Sequence, residues 1–350
     1  MFSWDFTRSV TGMRLLADFA GEHDLPLSDV LAGTRVTQAQ LSDPAAIVTA
    51  SQELRMTQNL VEKLGHIPAL GIHVGKRYHF TAYGPLGFAI VSSRTGRDAM
   101  NVAMRYFHLT FAYTRFVVED TEEHIRTTIH DDEVPQSVRR FIIERDSAAL
   151  ITALRDIFGL ESMLELLSFN YEPPDCGSCY EDFFGLKPTY NANQNVALLN
   201  KERMEQRLPQ ANDLALEVAE KQCEVILNQR VARSGLAVQI RSHLALRAAD
   251  MPAMDAVASR FCMTTRTLRR RLETEHTSFA QLRNEVRRML ADEYLLNLDL
   301  PVEQVANKLG YAESTSFINA FKNWYGVTPH AYRLRKACNR PANIDLKNEG

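Results

Sequence analysis

Two stretches near the C-terminal end decide the fold: Met254-Asp-Ala-Val-Ala-Ser-Arg-Phe261 and Val302-Glu-Gln-Val-Ala-Asn-Lys-Leu309. They match one another, with Val257 and Val305, Ala258 and Ala306, and Arg260 and Lys308 all offset by 48 residues. A second half repeats behind each, Leu268 and Leu272 corresponding to Phe317 and Phe321 at an offset of 49, so the connecting turn is one residue longer in the second copy. Each copy reads as a short helix with a small Ala on its inner face, a tight turn and a second helix. The Ala lets the two helices pack closely across the turn. This is the sequence form of a helix-turn-helix, whose second helix enters the major groove with its N-terminal residues leading.

In the first copy, Thr264-Thr-Arg-Thr-Leu-Arg-Arg-Arg-Leu272 turns Leu268 and Leu272 inward at i,i+4 and leaves Arg266, Arg269 and Arg270 outside. The planar guanidinium pairs bidentately with guanine O6 and N7 and binds phosphate through charge. Thr264 is a natural N-cap, and the free amides of that helix end, with Thr265, suit phosphate. The second copy offers Ser314, Thr315, Ile318, Asn319 and Lys322 at the corresponding places. Between the copies, Phe279 to Asn297 reads as one amphipathic helix, with Leu282, Val286, Met289, Leu290, Tyr294 and Leu295 for contacts. About 19 residues at 1.5 Å rise give roughly 28 Å. That is enough to hold two recognition helices near one DNA turn, about 34 Å, apart.

Charge divides the chain at the same place. Residues 1–229 carry 21 Lys and Arg against 31 Asp and Glu, a balance of −10, whereas residues 230–340 carry 18 against 10, a balance of +8. An acidic body joined to a basic module points to a polyanion as the partner of the C-terminal part. The 350 residues are enough for two domains, and 45% of them are hydrophobic, so a sizeable core is available. Gly and Pro together number 29, which excludes collagen-like and largely disordered classes. No apolar run approaches the roughly 18 residues needed to cross a bilayer. The start, MFSWDFTRSV, lacks the basic and apolar regions of a secretory signal. A cytoplasmic location without membrane attachment is expected. The five cysteines are an odd number in a long chain, and no disulfide framework is expected.

The first hundred residues read as helices, with Met13, Leu15, Leu16 and Phe19 on one apolar face, Leu54 to Leu64 forming another, and Thr95–Leu109 a third. The period then changes. Thr110–Glu119 and Glu123–His130 read as a strand pair joined by an acidic turn. Pro135–Phe158 returns to helical spacing, and Leu164–Tyr171 and Asn195–Leu199 read as strands with a short element at Phe183–Phe184 between them. Gln210–Val231 is helical, with Leu214, Val218, Val225 and Ile226 on one side, and Gly235 marks a boundary. Everything from Leu236 onward reads as helix.

Residues Leu236 to Arg335 resemble the AraC/XylS family of bacterial transcription regulators. MTTRTLRRRLETEHTSFAQLRNEVRRMLADEYLL is similar to the family's first helix-turn-helix and linker helix, and PVEQVANKLGYAESTSFINAFKNWYGVTPHAYR resembles its closing signature, with Gly310, Phe317, Phe321, Gly326, Pro329 and Tyr332–Arg333 in place. Asn319 stands where the family usually has Arg, which implies weaker contact by the second helix. Cys262 stands where the turn usually has Gly, which implies a left-handed residue at a cost of about 1 kcal/mol. Further upstream, Tyr83-Gly-Pro-Leu-Gly-Phe-Ala-Ile-Val-Ser-Ser93 followed by Thr95–Tyr106 resembles the arabinose-binding-type effector domain of ornithine-utilisation-regulator-like members. The resemblance implies a small-molecule site there, for which Tyr83, Phe88, Arg105, Tyr106 and Tyr113 are the candidates.

Cys176-Gly-Ser-Cys179 is the one segment pointing to redox or metal chemistry, but no second Cys/His pair completes a tetrahedral site. His66, His73 and His79 have no compact metal spacing, and Asp131-Asp132-Glu133 reads as a solvated turn. GxSxG, P-loop, HExxH and GxGxxG patterns are missing, so no catalytic residue, metal or cofactor is assigned.

The expected architecture is an α+β effector-binding and dimerisation domain over residues 1–210, a helical linker over 211–235, an all-α double helix-turn-helix domain over 236–338 and a tail over 339–350. The expected function is an effector-controlled transcription activator, not an enzyme. Its expected partners are double-stranded promoter DNA, a small-molecule effector, a second copy of the chain and RNA polymerase. The alternatives are a thiol- or metal-responsive regulator working through Cys176 and Cys179, and an enzyme-like N-terminal domain with an appended DNA-binding module.

Overall fold

The computed structural model describes residues 6–338 apart from 160–162, 177, 234, 246, 276, 293, 296–299 and 312. The chain divides into two units, Met1–Leu227 and Asn228–Gly350. The first unit begins with β1 (Thr7–Ser9), α1 (Thr11–Glu22), α2 (Leu27–Val30), α3 (Gln38–Ser42), β2 (Ile47–Thr49), α4 (Ala50–Leu64) and α5 (Leu70–Gly75). Helices alone were expected here. β1 and β2 are strands of three residues paired antiparallel, Thr7 opposite Thr49, and are too short to display a period of two. α4 starts at a reciprocal cap, in which Thr49 Oγ1 accepts from the Gln52 amide at 3.2 Å and Gln52 Oε1 accepts from the Thr49 amide at 2.9 Å. Met13, Leu16 and Phe19 of α1 and Leu54 and Leu60 of α4 share a buried cluster.

The unit continues with α6 (Pro85–Ser92), α7 (Gly96–Arg105), β3 (Arg115–Asp120), β4 (His124–His130), α8 (Arg139–Phe158), β5 (Leu164–Ser168), α9 (Cys179–Phe184), β6 (Asn195–Asn200), α10 (Lys201–Met204) and α11 (Asp213–Arg233), the last of which runs past the boundary at Leu227. The four later strands form an antiparallel sheet of order β3-β4-β6-β5, with Phe116 opposite Ile129 and Thr127 opposite Ala197. The expected strand at Thr110–Glu119 is shorter and later. Asp146 Oδ2 takes the Tyr113 and Thr114 amides at 3.0 Å each, so those amides are not available to a ladder. The strand expected over Leu164–Tyr171 likewise ends at Ser168, where the Phe169 amide turns to Thr189 O at 2.8 Å.

α8 lies between two cores, which is why it is apolar on nearly every side. Phe141, Ile142 and Ala149 belong to the first cluster, and Ile143, Ile151, Leu154 and Ile157 belong to the second together with Leu167 and Leu199 of the sheet. α5 crosses α8 at very short range because Gly71 and Gly75 carry no side chain. A Cβ at Gly71 would sit 2.3 Å from Phe141 O, and one at Gly75 would sit 2.5 Å from Arg145 O.

Two expectations are corrected here. Cys176 and Cys179 are joined by a disulfide, their Cα atoms 5.8 Å apart, a separation that a two-residue spacer readily brings about. In α11 the apolar residues do not share one buried side. Ala219 and Cys223 are buried against Leu86, Ala89, Val102 and Tyr106, whereas Leu214, Val218 and Val225 are 76%, 57% and 53% exposed. Burial pushes the Cys223 thiol up to about 11, so it is inert near neutral pH.

The second unit comprises α12 (Leu236–Ala245), α13 (Met254–Arg260), α14 (Thr265–Thr274), α15 (Phe279–Asp292), α16 (Val302–Lys308), α17 (Ser314–Tyr325) and α18 (Pro329–Cys338), without a strand among its described residues. One core gathers Ile240, Leu244, Val257, Ala258, Leu268, Leu272, Leu282 and Val286, and the other gathers Leu295, Val305, Ala306, Leu309, Phe317 and Phe321. Leu290 of α15 packs against both. The α-helix of the bridge spans Phe279–Asp292, Tyr294 and Leu295 are wound as π-helix, and residues 293, 296 and 297 of the expected helix lie outside the described residues. Among the described residues no helix is long and apolar enough to cross a membrane.

Candidate DNA-reading face and ligand cavity

The turn between α13 and α14 holds Cys262 at φ +53°, and the turn between α16 and α17 holds Gly310 at φ +74°. Both residues stand second after the preceding helix, so the left-handed position is common to the two copies although only one of them uses glycine. From that turn α14 starts at Thr264, whose Oγ1 accepts from the Thr267 amide at 3.2 Å. Leu268 and Leu272 anchor it in the core, fully buried. The helix therefore presents Thr264, Thr265, Arg266, Arg269 and Arg270 together as exposed side chains on its leading turns.

α17 is anchored the same way by Phe317 and Phe321, both fully buried. Its outer side differs in chemistry. Thr315, Asn319 and Lys322 are exposed and Ser314 and Ile318 half-buried, while the leading residue, Glu313, is a carboxylate that accepts from Thr315 Oγ1 at 3.2 Å. An acidic group at that end repels phosphate, where the first copy has a neutral threonine and three arginines.

The frame behind α14 is held by Glu275, whose two carboxylate oxygens accept from the Leu236 and Ala237 amides at 2.8 Å each and so cap the start of α12. Arg241 of α12 and Glu285 of α15 pair at 2.6 Å. In the second half the Tyr325 hydroxyl donates to Asp292 Oδ2 at 2.6 Å, tying α17 to α15.

In the first unit a cavity of about 130 Å³ lies between α7, α8 and strands β3 and β4. Ala99, Ala103 and Ala153 open it by their small size; Met100, Phe116 and Leu150 are among its apolar walls. Tyr78, Thr127, Arg145 and Asp146 supply its polar border. The Arg145 guanidinium donates from Nε and Nη2 to Asp146 Oδ1 at 2.9 and 2.6 Å and from Nη2 to Phe111 O at 2.9 Å, and its Nη1 stands 3.7 Å from Glu53 Oε1. Burial works against its charge, but Asp146, Tyr78 and Glu53 outweigh that and raise its pKa above the usual value. Glu53 is shifted the opposite way: burial lifts its carboxyl above the ordinary range, against the pull of Arg8 and Arg145.

The five residues that the resemblance singled out are not brought together. Tyr83 borders the cavity. Phe88 is 57% exposed, and Arg105 reaches outward to Glu220 of α11 at 2.7 Å. Tyr106 is packed among Leu86 and Ala219, and Tyr113 is fully buried with its hydroxyl donating to Ala50 O at 2.7 Å. Sequence reasoning passed over Arg145 and Asp146 as two charges in a long helix. The available signal was that Glu144-Arg145-Asp146 interrupts an otherwise apolar segment, so that no face of the helix could leave them in water. Among the described residues no group of three His, Cys, Asp or Glu side chains assembles as a metal site.

A family model described as the arabinose-binding domain of AraC transcription regulators matches residues 25–208, and a helix-turn-helix domain model matches residues 257–335. A Mycobacterium tuberculosis protein named as an uncharacterized HTH-type transcriptional regulator is 34% identical over 93% of this chain and 96% of its own length. The ornithine utilization regulator of Pseudomonas aeruginosa is 26% identical over 91% of this chain and 94% of its own. Among solved structures, that of the transcriptional regulator CdpR from Pseudomonas aeruginosa covers 93% of this chain and 98% of that one at 24% identity, with a TM-score of 0.47.

Proposed function

The chain belongs to the AraC-type family of transcription regulators, and on that footing we propose that it is an activator whose binding to promoter DNA is governed by a small molecule held in the cavity of its N-terminal unit. The observation that carries this reading is the pairing of a cavity inside the segment matched by the effector-domain model with two helix-turn-helix copies, the first presenting an exposed arginine row. Residues 1–210 bind the effector, 211–235 link, and 236–338 bind DNA. Thr264, Thr265, Arg266, Arg269 and Arg270 carry base and phosphate contact in this reading, and Ser314, Thr315, Ile318, Asn319 and Lys322 add a weaker second contact. The exposed apolar residues Leu214, Val218 and Val225 of α11 support a homodimer through that helix, because contiguous exposed apolar side chains mark interaction surfaces. The regulator works in the cytoplasm, and activation implies contact with RNA polymerase. The test is a promoter fusion together with gel shifts of the full chain. Promoter output that requires the chain and changes with an added small molecule is expected; effector-independent repression overturns the reading.

A second reading is favoured by one observation, the Cys176–Cys179 disulfide at the start of α9. The next residue, Tyr180, donates its hydroxyl to the buried Glu144, which also accepts from the Gly71 amide at 3.0 Å. Reduction there would act on the contacts of α8. A promoter response to thiol oxidants that disappears in the Cys176→Ser/Cys179→Ser variant would establish this reading, and an unchanged response would remove it.

A further inference from the structure

Most of the cavity wall is hydrocarbon, yet three of its bordering residues carry polar atoms that are buried and have no hydrogen-bond partner: Tyr78 Oη, Thr127 Oγ1 and Arg145 Nη1, the last held only by its 3.7 Å ion pair with Glu53, whose carboxylate oxygens likewise lack a hydrogen bond. All three residues are 1% exposed. Buried polar atoms are nearly always satisfied, and three left over around one cavity point to a ligand group that satisfies them. Each can donate, and one belongs to a cation, so the complementary group is an anionic acceptor. An ammonium group would find only the two hydroxyl oxygens to accept from it and would stand against the Arg145 guanidinium, because Asp146 Oδ1 is taken by Arg145 and Oδ2 by the Tyr113 and Thr114 amides and the Thr114 hydroxyl. A sugar would bring more hydroxyls than the border can pair and would leave the rest against hydrocarbon.

A charge cluster adjoins the border. Arg8 and Arg145 face Glu53 and Asp146, with Arg8 and Arg145 each 3.7 Å from the Glu53 carboxylate. Burial raises the Glu53 carboxyl above its ordinary range, against the pull of both arginines. Size sets the apolar part. A cavity of about 150 Å³ holds benzene, and this one, at about 130 Å³, is slightly smaller, which limits the apolar body to about one ring or a short chain.

Resting on the effector reading above, we propose that the cavity takes a small hydrophobic carboxylic acid, its body the size of one aromatic ring or a short acyl chain and its carboxylate met by Tyr78 Oη, Thr127 Oγ1 and Arg145 Nη1.

The experiment is calorimetric titration of the full chain with benzoate and hexanoate, with benzyl alcohol as the neutral counterpart of benzoate and with L-arabinose and L-ornithine as polar probes. One of the two acids binds at least tenfold more tightly than benzyl alcohol. Thr127→Val and Tyr78→Phe remove unsatisfied hydroxyls with little change of shape, so both variants fold, lose tenfold or more in affinity for the acid and keep the affinity for benzyl alcohol within twofold. Ala103→Leu fills the space and abolishes both. Binding of arabinose or ornithine that Ala103→Leu abolishes, with neither acid bound, overturns the ligand class and leaves the effector reading standing. Silence of every probe, with promoter output unaltered by Ala103→Leu, overturns both.

Discussion

Arg266 and Arg270 stand exposed on a helix locked in place by Leu268 and Leu272, and a guanidinium that pairs bidentately with a base is worth about 1–3 kcal/mol of discrimination. Arg266→Ala and Arg270→Ala are each expected to weaken binding to a mapped operator by that amount, read by anisotropy titration, with smaller losses for Ser314→Ala and Asn319→Ala; dominant losses in α17 would reverse the assignment. Cys262, in the left-handed region at φ +53°, is strained where its counterpart Gly310 is not. Cys262→Gly relieves about 1 kcal/mol of that strain, less what is lost by loosening the unfolded chain. A modest rise in the urea midpoint with unchanged slope is expected, and a fall would show that the turn is not strained. This position was legible beforehand because the two copies align through it. The cavity was not. Its shape is set by Ala99, Ala103 and Ala153, residues whose significance is what they leave empty once α7 and α8 meet the sheet. Of the four aromatic candidates, Tyr106 and Tyr113 are spent on packing, Phe88 is exposed and Tyr83 borders the cavity.

At the scale of elements, α12 depends on a carboxylate 38 residues away from its second amide, since Glu275 accepts from both Leu236 and Ala237. A side-chain cap is worth roughly 1 kcal/mol, somewhat more for an ionised acceptor. Glu275→Ala is expected to lower stability by about 1–2 kcal/mol in urea unfolding without moving any residue of the reading face, and an unaltered midpoint would show that water replaces the carboxylate at no cost. α11 shows how far periodicity carries. Its helical span was readable, but its apolar residues are scattered around the axis, so which side is buried depends on α6 and α7 and not on the helix itself. If Leu214 and Val218 form a dimer seam, Val218→Glu shifts the full chain to monomer in sedimentation; a chain already monomeric, or a dimer untouched by the change, removes that seam. The helix-turn-helix copies were readable nearly to the residue because Ala, Gly and Phe each answer a local packing demand. The short strands β1 and β2 answer only to a partner 40 residues distant.

For the whole molecule, the separation of an acidic N-terminal part from a basic C-terminal part means that DNA affinity must be strongly salt-dependent, each neutralised phosphate adding about 0.9 to the slope of log affinity against log salt. A slope of several units is expected for the full chain on operator DNA. A flat response would mean that the basic surface does not face phosphate. The two halves of the second unit are alike in their turns and cores but not in their outer chemistry: three arginines lead one, and a glutamate and an asparagine lead the other. If the two copies read the same bases, either could dock on either half-site, and the chain would bind a duplex in more than one register. Inequality removes that freedom. A chain with one strong and one weak half has a head and a tail along the double helix, so an operator transplanted in reverse would turn the regulator to face away from the start of the gene.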